Sequence, residues 1–185
     1  LANLHLRRRQ VSMSSIIDQC VETMGPYVRG RGQHLGVTVQ SQAMELDADA
    51  ARLCQVVKHL IINATRFSAA DAEIGVDARR DGIDAVVVVA DSGFGIDPQH
   101  IGSIFELYSQ RHALSSARRG GLGIGLHVAR ALIEAHGGSL TAASGGLDLG
   151  STFTLRVPCL EFESQASGRL QSGPSSRSLS ALTAA

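Results

Sequence analysis

An acidic residue followed by two glycines ends the most apolar segment of the chain. Residues 83–90 are apolar over most of their length, as in a strand buried in the middle of a sheet, and Asp91 follows directly. A carboxylate at the end of such a strand needs hydrogen-bond donors. The exocyclic amine of adenine supplies them, whereas guanine presents a carbonyl oxygen there. Gly93 and Gly95 would let the backbone approach a flat ring. A simple strand-ending turn uses the same residue types, so both interpretations stay open here.

A run of glycines in residues 120–126, GGLGIGL, leads into a predicted helix over residues 124–136. Free N–H groups and the positive end of the helix dipole favour a phosphate group at such a place. A P-loop is excluded because it needs Gly-Lys followed by Ser or Thr, and the only lysine, Lys58, lies elsewhere. A Rossmann fingerprint is excluded because the run does not directly follow a strand.

The predicted helix over residues 49–67 carries a polar stripe beside its apolar face. The apolar residues recur at three and four spacing, which is typical of a face packed on a core. Polar side chains at the same spacing line another face: Arg52, Gln55, His59, Asn63 and Arg66. A merely solvated face has the same pattern, and the helix taken alone leaves that alternative open.

Alternating strands and helices must position these residues. Runs typical of strands occur at residues 37–40, 73–78, 83–90, 139–143 and 152–157. Helical periodicity occurs at residues 16–28, 49–67, 98–105 and 124–136. This order predicts a mixed α/β domain with one sheet covered by helices.

The composition fits one folded domain with a tail. The 185 residues carry 17 Lys and Arg against 17 Asp and Glu, so neither nucleic acid nor direct membrane contact is expected. The three cysteines are widely separated, which fits neither a disulfide framework nor a metal cluster. We assign residues 1–10 to the exit of a preceding helix, residues 11–160 to the folded domain and residues 161–185 to a disordered linker or tail.

The order of the motifs resembles that of a known superfamily. The helix with Asn63, the strand before Asp91, residues 104–108 (IFELY), the glycine run and residues 150–153 (GSTF) follow one another as in the histidine-kinase branch of the gyrase, heat-shock chaperone and mismatch-repair ATPases. The resemblance covers residues 11–158. It implies an α/β two-layer sandwich, the Bergerat-type ATP-binding fold, with a mixed sheet of about five strands packed against about three helices.

The resemblance also implies roles for individual residues. Asn63 matches the asparagine whose side-chain oxygen holds Mg²⁺, and Arg66 matches the lysine that reaches a phosphate. Asp91 matches the aspartate that reads adenine, and Thr152 is expected near it. The other residues implied in ATP binding belong to the base pocket, to the glycine run and to the start of a mobile lid over residues 109–120: Gly93, Gly95, Ile96, Tyr108, Gly121, Leu122, Gly123, Gly125 and Leu126.

Two positions depart from the family pattern. His59 lies one turn before Asn63, where water-activating relatives carry a glutamate base and histidine kinases more often carry an amide. We count His59 with Asn63 and Arg66 as a candidate catalytic residue, with a structural role as the alternative. Leu122 replaces a frequent threonine, which leaves backbone amides to contact phosphate.

The implied function is transfer of the γ-phosphoryl group of Mg·ATP to a histidine on a separate dimerisation and phospho-acceptor domain of the same parent protein. A response-regulator receiver domain is the expected next partner, and the expected location is cytoplasmic. Histidine kinases present the acceptor as His followed by Asp or Glu, and none of the seven histidines here precedes an acidic residue. The chain alone is therefore not expected to phosphorylate itself.

Two other functions are weighed against this one. A gyrase-like ATPase clamp is disfavoured because His59 stands where that clamp carries its glutamate. A degenerate nucleotide-binding or scaffolding module is the other alternative, kept open by the substitutions at His59, Arg66 and Leu122.

Overall fold

A computed structural model describes residues 5–40, 42–107 and 124–160. The elements in chain order are β1 (Arg9–Ser12), α1 (Met13–Gly30), β2 (His34–Val39), β3 (Glu45–Ala48), α2 (Ala50–Phe67), β4 (Glu73–Asp81), β5 (Asp84–Asp91), α3 (Gly125–Ala135), β6 (Ser139–Ala143) and β7 (Ser151–Pro158). The strands and helices that carry the predicted site are all among them.

Five of these strands form one mixed sheet in the order β2-β4-β5-β7-β6. β2 pairs with β4 in parallel, and the other neighbouring strands pair in antiparallel fashion. β5 lies in the middle, and Ala85, Val86, Val87 and Val89 are all fully buried, which explains its nearly continuous apolar sequence. β4 and β7 bury alternate residues over much of their length, as expected of strands with one face on the core.

The helices of the described residues cover the sheet. α2 packs between α1 and α3 and contacts β5, while α1 contacts β2 and α3 contacts β6. Residues such as Leu53, Val57, Leu60 and Ile61 on the apolar stripe of α2 are fully buried. This two-layer α/β arrangement confirms the predicted fold class. Within the described ranges, no helix combines the length and the apolar character needed to cross a bilayer.

Side chains cap both ends of α2. Asp49 Oδ1 accepts the N–H of Arg52 at 3.2 Å, so the carboxylate satisfies one of the free donors of the first turn. At the other end, the buried amide of Gln33 donates to the carbonyls of Thr65, Ser68 and Ala69 at 3.0, 3.1 and 2.9 Å. These caps fix the ends of the helix that carries the polar stripe.

The predicted helix over residues 98–105 is wrong. These residues form successive turns, in which the N–H groups of His100, Ser103 and Glu106 each donate to the carbonyl three residues earlier. Asp97 Oδ1 also accepts the N–H of Gln99 at 2.9 Å, a local bond that favours a turn over a helix.

Two short strands near the start of the chain were missing from the sequence prediction. β1 and β3 form a separate antiparallel pair. Just before β1, Arg7 donates its N–H to Asp49 Oδ2 at 2.9 Å, and the Arg8 guanidinium donates to the Ala135 carbonyl at 2.6 Å. The described residues of segment 1–10 are therefore extended and bound to the domain rather than helical. Its assignment to the exit of a preceding domain stays a prediction, and the predicted tail over residues 161–185 lies outside the described residues.

Candidate functional site

Both carboxylate oxygens of Asp91, at the end of β5, accept hydrogen bonds. Oδ1 accepts the N–H of Gly93 at 2.9 Å, and Oδ2 accepts the hydroxyl of Ser151 at 2.6 Å. Ser151 lies directly opposite Asp91 in the pairing of β5 with β7. These bonds fix the direction of the half-buried carboxylate, while its oxygens keep lone pairs for a further donor.

Thr152, which was expected near Asp91, lies opposite Ala90, beside the pair formed by Asp91 and Ser151. Successive side chains of a strand point to opposite faces, so Thr152 and Ser151 lie on opposite faces of β7. The hydroxyl that reaches Asp91 is thus that of Ser151, which sequence reasoning missed. A signal was present, because Ser151 alternates with the buried Phe153 and so shares its inward face.

The loop after Asp91, residues 92–96, packs on the C-terminal end of α2. A Cβ at Gly93 would collide with the carbonyl of Phe67, and Phe94 donates its N–H to that same carbonyl at 3.0 Å. Gly95 has a φ of +65°, and a Cβ there would collide with the carbonyl of Gly146. Both glycines are therefore required by contacts within the protein.

His59 and Asn63 contact each other on the polar stripe of α2. Asn63 is only 8% exposed, and its amide nitrogen lies 3.3 Å from His59 Nε2. An amide nitrogen is a donor, so Nε2 accepts and Asn63 Oδ1 is left for another partner. Burial lowers the pKa of His59, and the positive charge of Arg66 lowers it further, so the ring is neutral at neutral pH.

The rest of the polar stripe divides into two parts. Arg52 and Gln55 lie near the start of α2, are exposed, and bond to each other at 3.0 Å. Arg66 is exposed in the last turn, three residues after Asn63. The structure thus places His59, Asn63 and Arg66 along the C-terminal half of α2, whose last residue, Phe67, contacts the loop after Asp91.

Helix α3 begins against His59. A Cβ at its first residue, Gly125, would collide with the His59 ring, so the ring lies where the helix presents free N–H groups. Leu126 is half-buried against the core. His127 Nδ1 lies 3.1 Å from the Phe105 carbonyl and so joins α3 to the turns that precede the predicted lid. The remaining predicted site residues and the lid lie outside the described residues: Tyr108, Gly121, Leu122, Gly123 and residues 109–120.

The last turns of α2 connect the two ends of the site. Phe67 contacts the loop after Asp91. His59, which lies eight residues earlier in α2, contacts Gly125. Eight residues extend about 12 Å along a helix axis. The site therefore has a carboxylate acceptor at one end, Asn63 along its side and a helix N-terminus at the other end. Such a set suits a ligand with an amine-bearing base and a distant anionic group.

A metal at this site would need ligands beyond the protein. Nowhere in ranges 5–40, 42–107 and 124–160 do three or more His, Cys, Asp or Glu side chains lie together as a potential metal-binding group. Mg²⁺ takes few ligands from protein and keeps water and phosphate oxygens. The Oδ1 atom of Asn63 fits a site of that kind.

Comparison with known families decides the class of protein. Residues 48–161 match the family described as histidine kinase-, DNA gyrase B-, and HSP90-like ATPase. The chain belongs to this family. The match includes α2, β5 and α3, so the two helices and the strand that carry Asn63, Asp91 and Gly125 all lie within it. The resemblance inferred from the order of the motifs is thereby confirmed.

The relatives of this ATPase domain are sensor histidine kinases. The sensor protein TorS of Escherichia coli K12 is 35% identical over 144 residues, which is 77% of this chain and 15% of TorS. The sensor histidine kinase ZraS of Salmonella typhimurium is 31% identical over 157 residues, or 84% of this chain and 32% of ZraS. The chain thus spans less than a third of the length of either relative.

Solved structures agree with this placement. Full-length ShkA, solved in complex with AMPPNP, matches with a TM-score of 0.73 and 28% identity over 85% of this chain and 32% of ShkA. The mycobacterial sensor histidine kinase MprB matches with a TM-score of 0.68 and 25% identity over 82% of this chain and 97% of the solved MprB chain. The expected Bergerat-type fold of the ATPase domain is therefore confirmed.

Proposed function

We propose that this domain binds Mg·ATP and donates the γ-phosphoryl group to a histidine on the dimerisation and phospho-acceptor domain of the same parent protein. A response-regulator receiver domain would then take the phosphoryl group from that histidine. The proposal is supported by the family membership, by the sensor-kinase relatives and by the geometry around Asp91.

The observation that carries the proposal is the fixed carboxylate of Asp91. Its bonds to Gly93 and Ser151 hold it in one orientation at the end of β5. An adenine amine donates to such an acceptor, whereas the carbonyl oxygen of guanine would repel it. Asp91 is therefore assigned to recognition of the base.

The other end of the site suits the phosphates. Asn63 Oδ1 would hold Mg²⁺, Arg66 would reach a phosphate oxygen, and the N-terminus of α3 beginning at Gly125 would face the anionic groups. Mg²⁺, when bound, neutralises and orients phosphate oxygens. The neutral ring of His59 adds no charge and holds the amide nitrogen of Asn63, so its proposed role is to orient Asn63.

Transfer to a separate domain follows from the chemistry of the acceptor. Phosphoryl transfer depends on holding the acceptor in line with the γ-phosphate, and an acidic neighbour takes the proton as the imidazole attacks. None of the seven histidines of this chain precedes an acidic residue. The acceptor is therefore proposed to lie in the part of the parent protein that this chain does not span.

Recognition of adenine is tested by calorimetric titration with ATP and GTP in the presence of Mg²⁺. We expect a clear preference for ATP, and Asp91→Asn should cost about 1–3 kcal/mol of ATP binding because it places a donor opposite the amine. Asp71→Asn is the matched control, since Asp71 is exposed and has a φ of 64°, which asparagine also adopts. Equal affinity for GTP, or an Asp91→Asn protein that binds like the wild type, would contradict the assignment.

Transfer is tested by mixing the chain with γ-labelled ATP and the helix-pair domain of its own parent. We expect no label on the chain alone and acid-labile label on the helix pair. The Asp91→Asn protein serves as the control for dependence on the nucleotide site. Label on the isolated chain, or none on the helix pair, would refute the proposed division into donor and acceptor domains.

A further inference from the structure

The hydroxyl of Ser144, the first residue after β6, joins two loops of the site. It accepts the N–H of Ile96 at 3.0 Å and the N–H of Gly146 at 3.2 Å, and its one proton is shared between the Gly150 carbonyl at 2.6 Å and the Gly146 carbonyl at 3.1 Å. A hydroxyl has one donor and two acceptor positions, so these bonds use its full capacity. One side chain therefore binds both the loop after Asp91 and the loop between β6 and β7.

Backbone bonds between the same two loops run alongside it. Asp148 donates its N–H to the Phe94 carbonyl at 2.8 Å, and Gly150 donates its N–H to the Gly93 carbonyl at 3.0 Å. These bonds hold Gly93 and Phe94, whereas the Ser144 hydroxyl holds Ile96 at the far end of the loop. Residues 93–96 are thus fixed at both ends against the second loop.

The position of this loop bears directly on the carboxylate that would read the base. Gly93 donates to Asp91 Oδ1, so a shift of residues 93–96 would change the direction of the carboxylate. Ser151, which donates to Asp91 Oδ2, directly follows Gly150, whose carbonyl accepts from Ser144. Ser144 is therefore linked to both of the groups that orient Asp91.

We propose that Ser144 is a positioning residue for base recognition, which holds the loop of residues 93–96 so that Asp91 discriminates adenine from guanine. This inference rests on the proposed function of the site. Removing the hydroxyl leaves the N–H groups of Ile96 and Gly146 without this acceptor, and a loop free to shift loses the fixed direction of the carboxylate.

The alternative is a purely structural role, in which Ser144 only stabilises the turn between β6 and β7. In that case its loss would lower the melting temperature and leave the choice of nucleotide unchanged. The ratio of ATP to GTP affinity is thus the measurement that separates the two roles.

The experiment compares four proteins by calorimetric titration with ATP and with GTP in Mg²⁺: wild type, Ser144→Ala, Ser144→Thr and Ser139→Ala. We expect Ser144→Ala to weaken ATP binding by about five- to twentyfold and to change GTP binding little, so the ratio of affinities contracts. Ser144→Thr keeps the hydroxyl and should restore the wild-type ratio. Ser139 is the exposed first residue of β6, the strand that Ser144 follows, so Ser139→Ala should behave as the wild type.

A second variant guards against loss of folding in Ser144→Ala. Ser144→Cys keeps the size of the side chain but replaces the hydroxyl with a weak donor and acceptor, and it should contract the ratio in the same direction. A wild-type ratio in both folded variants would overturn the inference alone and leave the proposed function standing. A wild-type protein without preference for ATP would overturn both.

Discussion

Asn63 offers the most direct test of the metal assignment. Its amide nitrogen donates a hydrogen bond to His59 Nε2, so Oδ1 is the atom that would bind a cation. We expect Asn63→Ala to weaken ATP binding by about 1–2 kcal/mol more in Mg²⁺ than in a chelator, because only the metal-dependent affinity uses that oxygen. Calorimetric titration under the two conditions measures the difference.

Gln55→Ala is the control for this substitution. Gln55 lies on the same polar stripe but is exposed near the start of α2, where it bonds to Arg52. It should leave both affinities unchanged. Equal losses with and without Mg²⁺ in Asn63→Ala would mean that Asn63 has a structural role and does not hold the metal.

Some residues of the candidate site could be named from the sequence, and others could not. Asp91 and Asn63 were singled out because a strand end and a helical spacing predict their surroundings, and each is a chemically distinctive side chain at such a place; their roles stay predictions. Ser151 and Ser144 were missed because serine is ordinary in any loop or strand end. Their hydrogen bonds depend on the pairing of β5 with β7 and on the contact between two loops. No local sequence pattern encodes either contact.

The contact between the loop after Asp91 and helix α2 gives a test at the scale of elements. Gly93 is buried, and a Cβ there would collide with the backbone carbonyl of Phe67. Gly93→Ala should therefore move the loop off the end of α2 and destabilise the fold by about 1–3 kcal/mol, with a loss of ATP binding beyond the loss of stability. Urea unfolding and calorimetric titration measure the two effects.

Gly102→Ala is the matched control, since a Cβ at Gly102 would meet nothing within 4 Å. It should leave stability and ATP binding close to wild type. A Gly93→Ala protein as stable as this control would show that the close approach of the loop to Phe67 is unimportant in solution.

Elements with strong periodicity were predicted well, and the weak ones were not. The bounds of α2 and β5 were each predicted to within one residue. The helix has apolar residues at three and four spacing over its whole length, and the strand is an almost continuous apolar run. The predicted helix over residues 98–105 failed because Asp97 and Gly102 favour turns over a weak apolar pattern. β1 and β3 escaped notice because each has only 4 residues and they pair with each other across more than thirty intervening positions.

For the molecule as a whole, the order of motifs predicted more than any motif alone. Asp91 with its glycines could have been a simple strand-ending turn, and the polar stripe could have been a solvated helix face. The order of the motifs along the chain is what indicated the family. The strand order β2-β4-β5-β7-β6 was not predicted, because spacing along a chain does not state which strands become neighbours. The alternation of strands and helices predicted a mixed α/β domain, the resemblance implied the Bergerat-type fold, and the structure shows the strand order and the register.

Three cysteines report on the stability of the whole domain. Cys20 on α1 and Cys54 on α2 are 0% and 5% exposed, with their sulfurs 2.9 Å apart, whereas Cys159 is half-exposed just after β7. Burial raises the pKa of the Cys20 thiol, and the bond to Cys54 raises it further. Burial also raises the pKa of the Cys159 thiol, but this residue is only partly buried, so a thiol reagent should label it in the native protein and reach Cys20 and Cys54 only when α1 and α2 separate.

Bound nucleotide should slow that separation in proportion to its affinity. A ligand that binds only the folded state stabilises it by about 2.7 kcal/mol at a concentration one hundred times its dissociation constant, so labelling of Cys20 and Cys54 should slow about a hundredfold. Labelling of Cys159 should not change, which makes it an internal control, and Asp91→Asn should remove most of the protection at the same ATP concentration. Mass spectrometry of the three sites over time measures these rates. If ATP leaves Cys20 and Cys54 unprotected in a wild-type protein that binds it, α1 and α2 separate without release of the nucleotide, and the apolar face of α2 is not coupled to the site on its polar stripe.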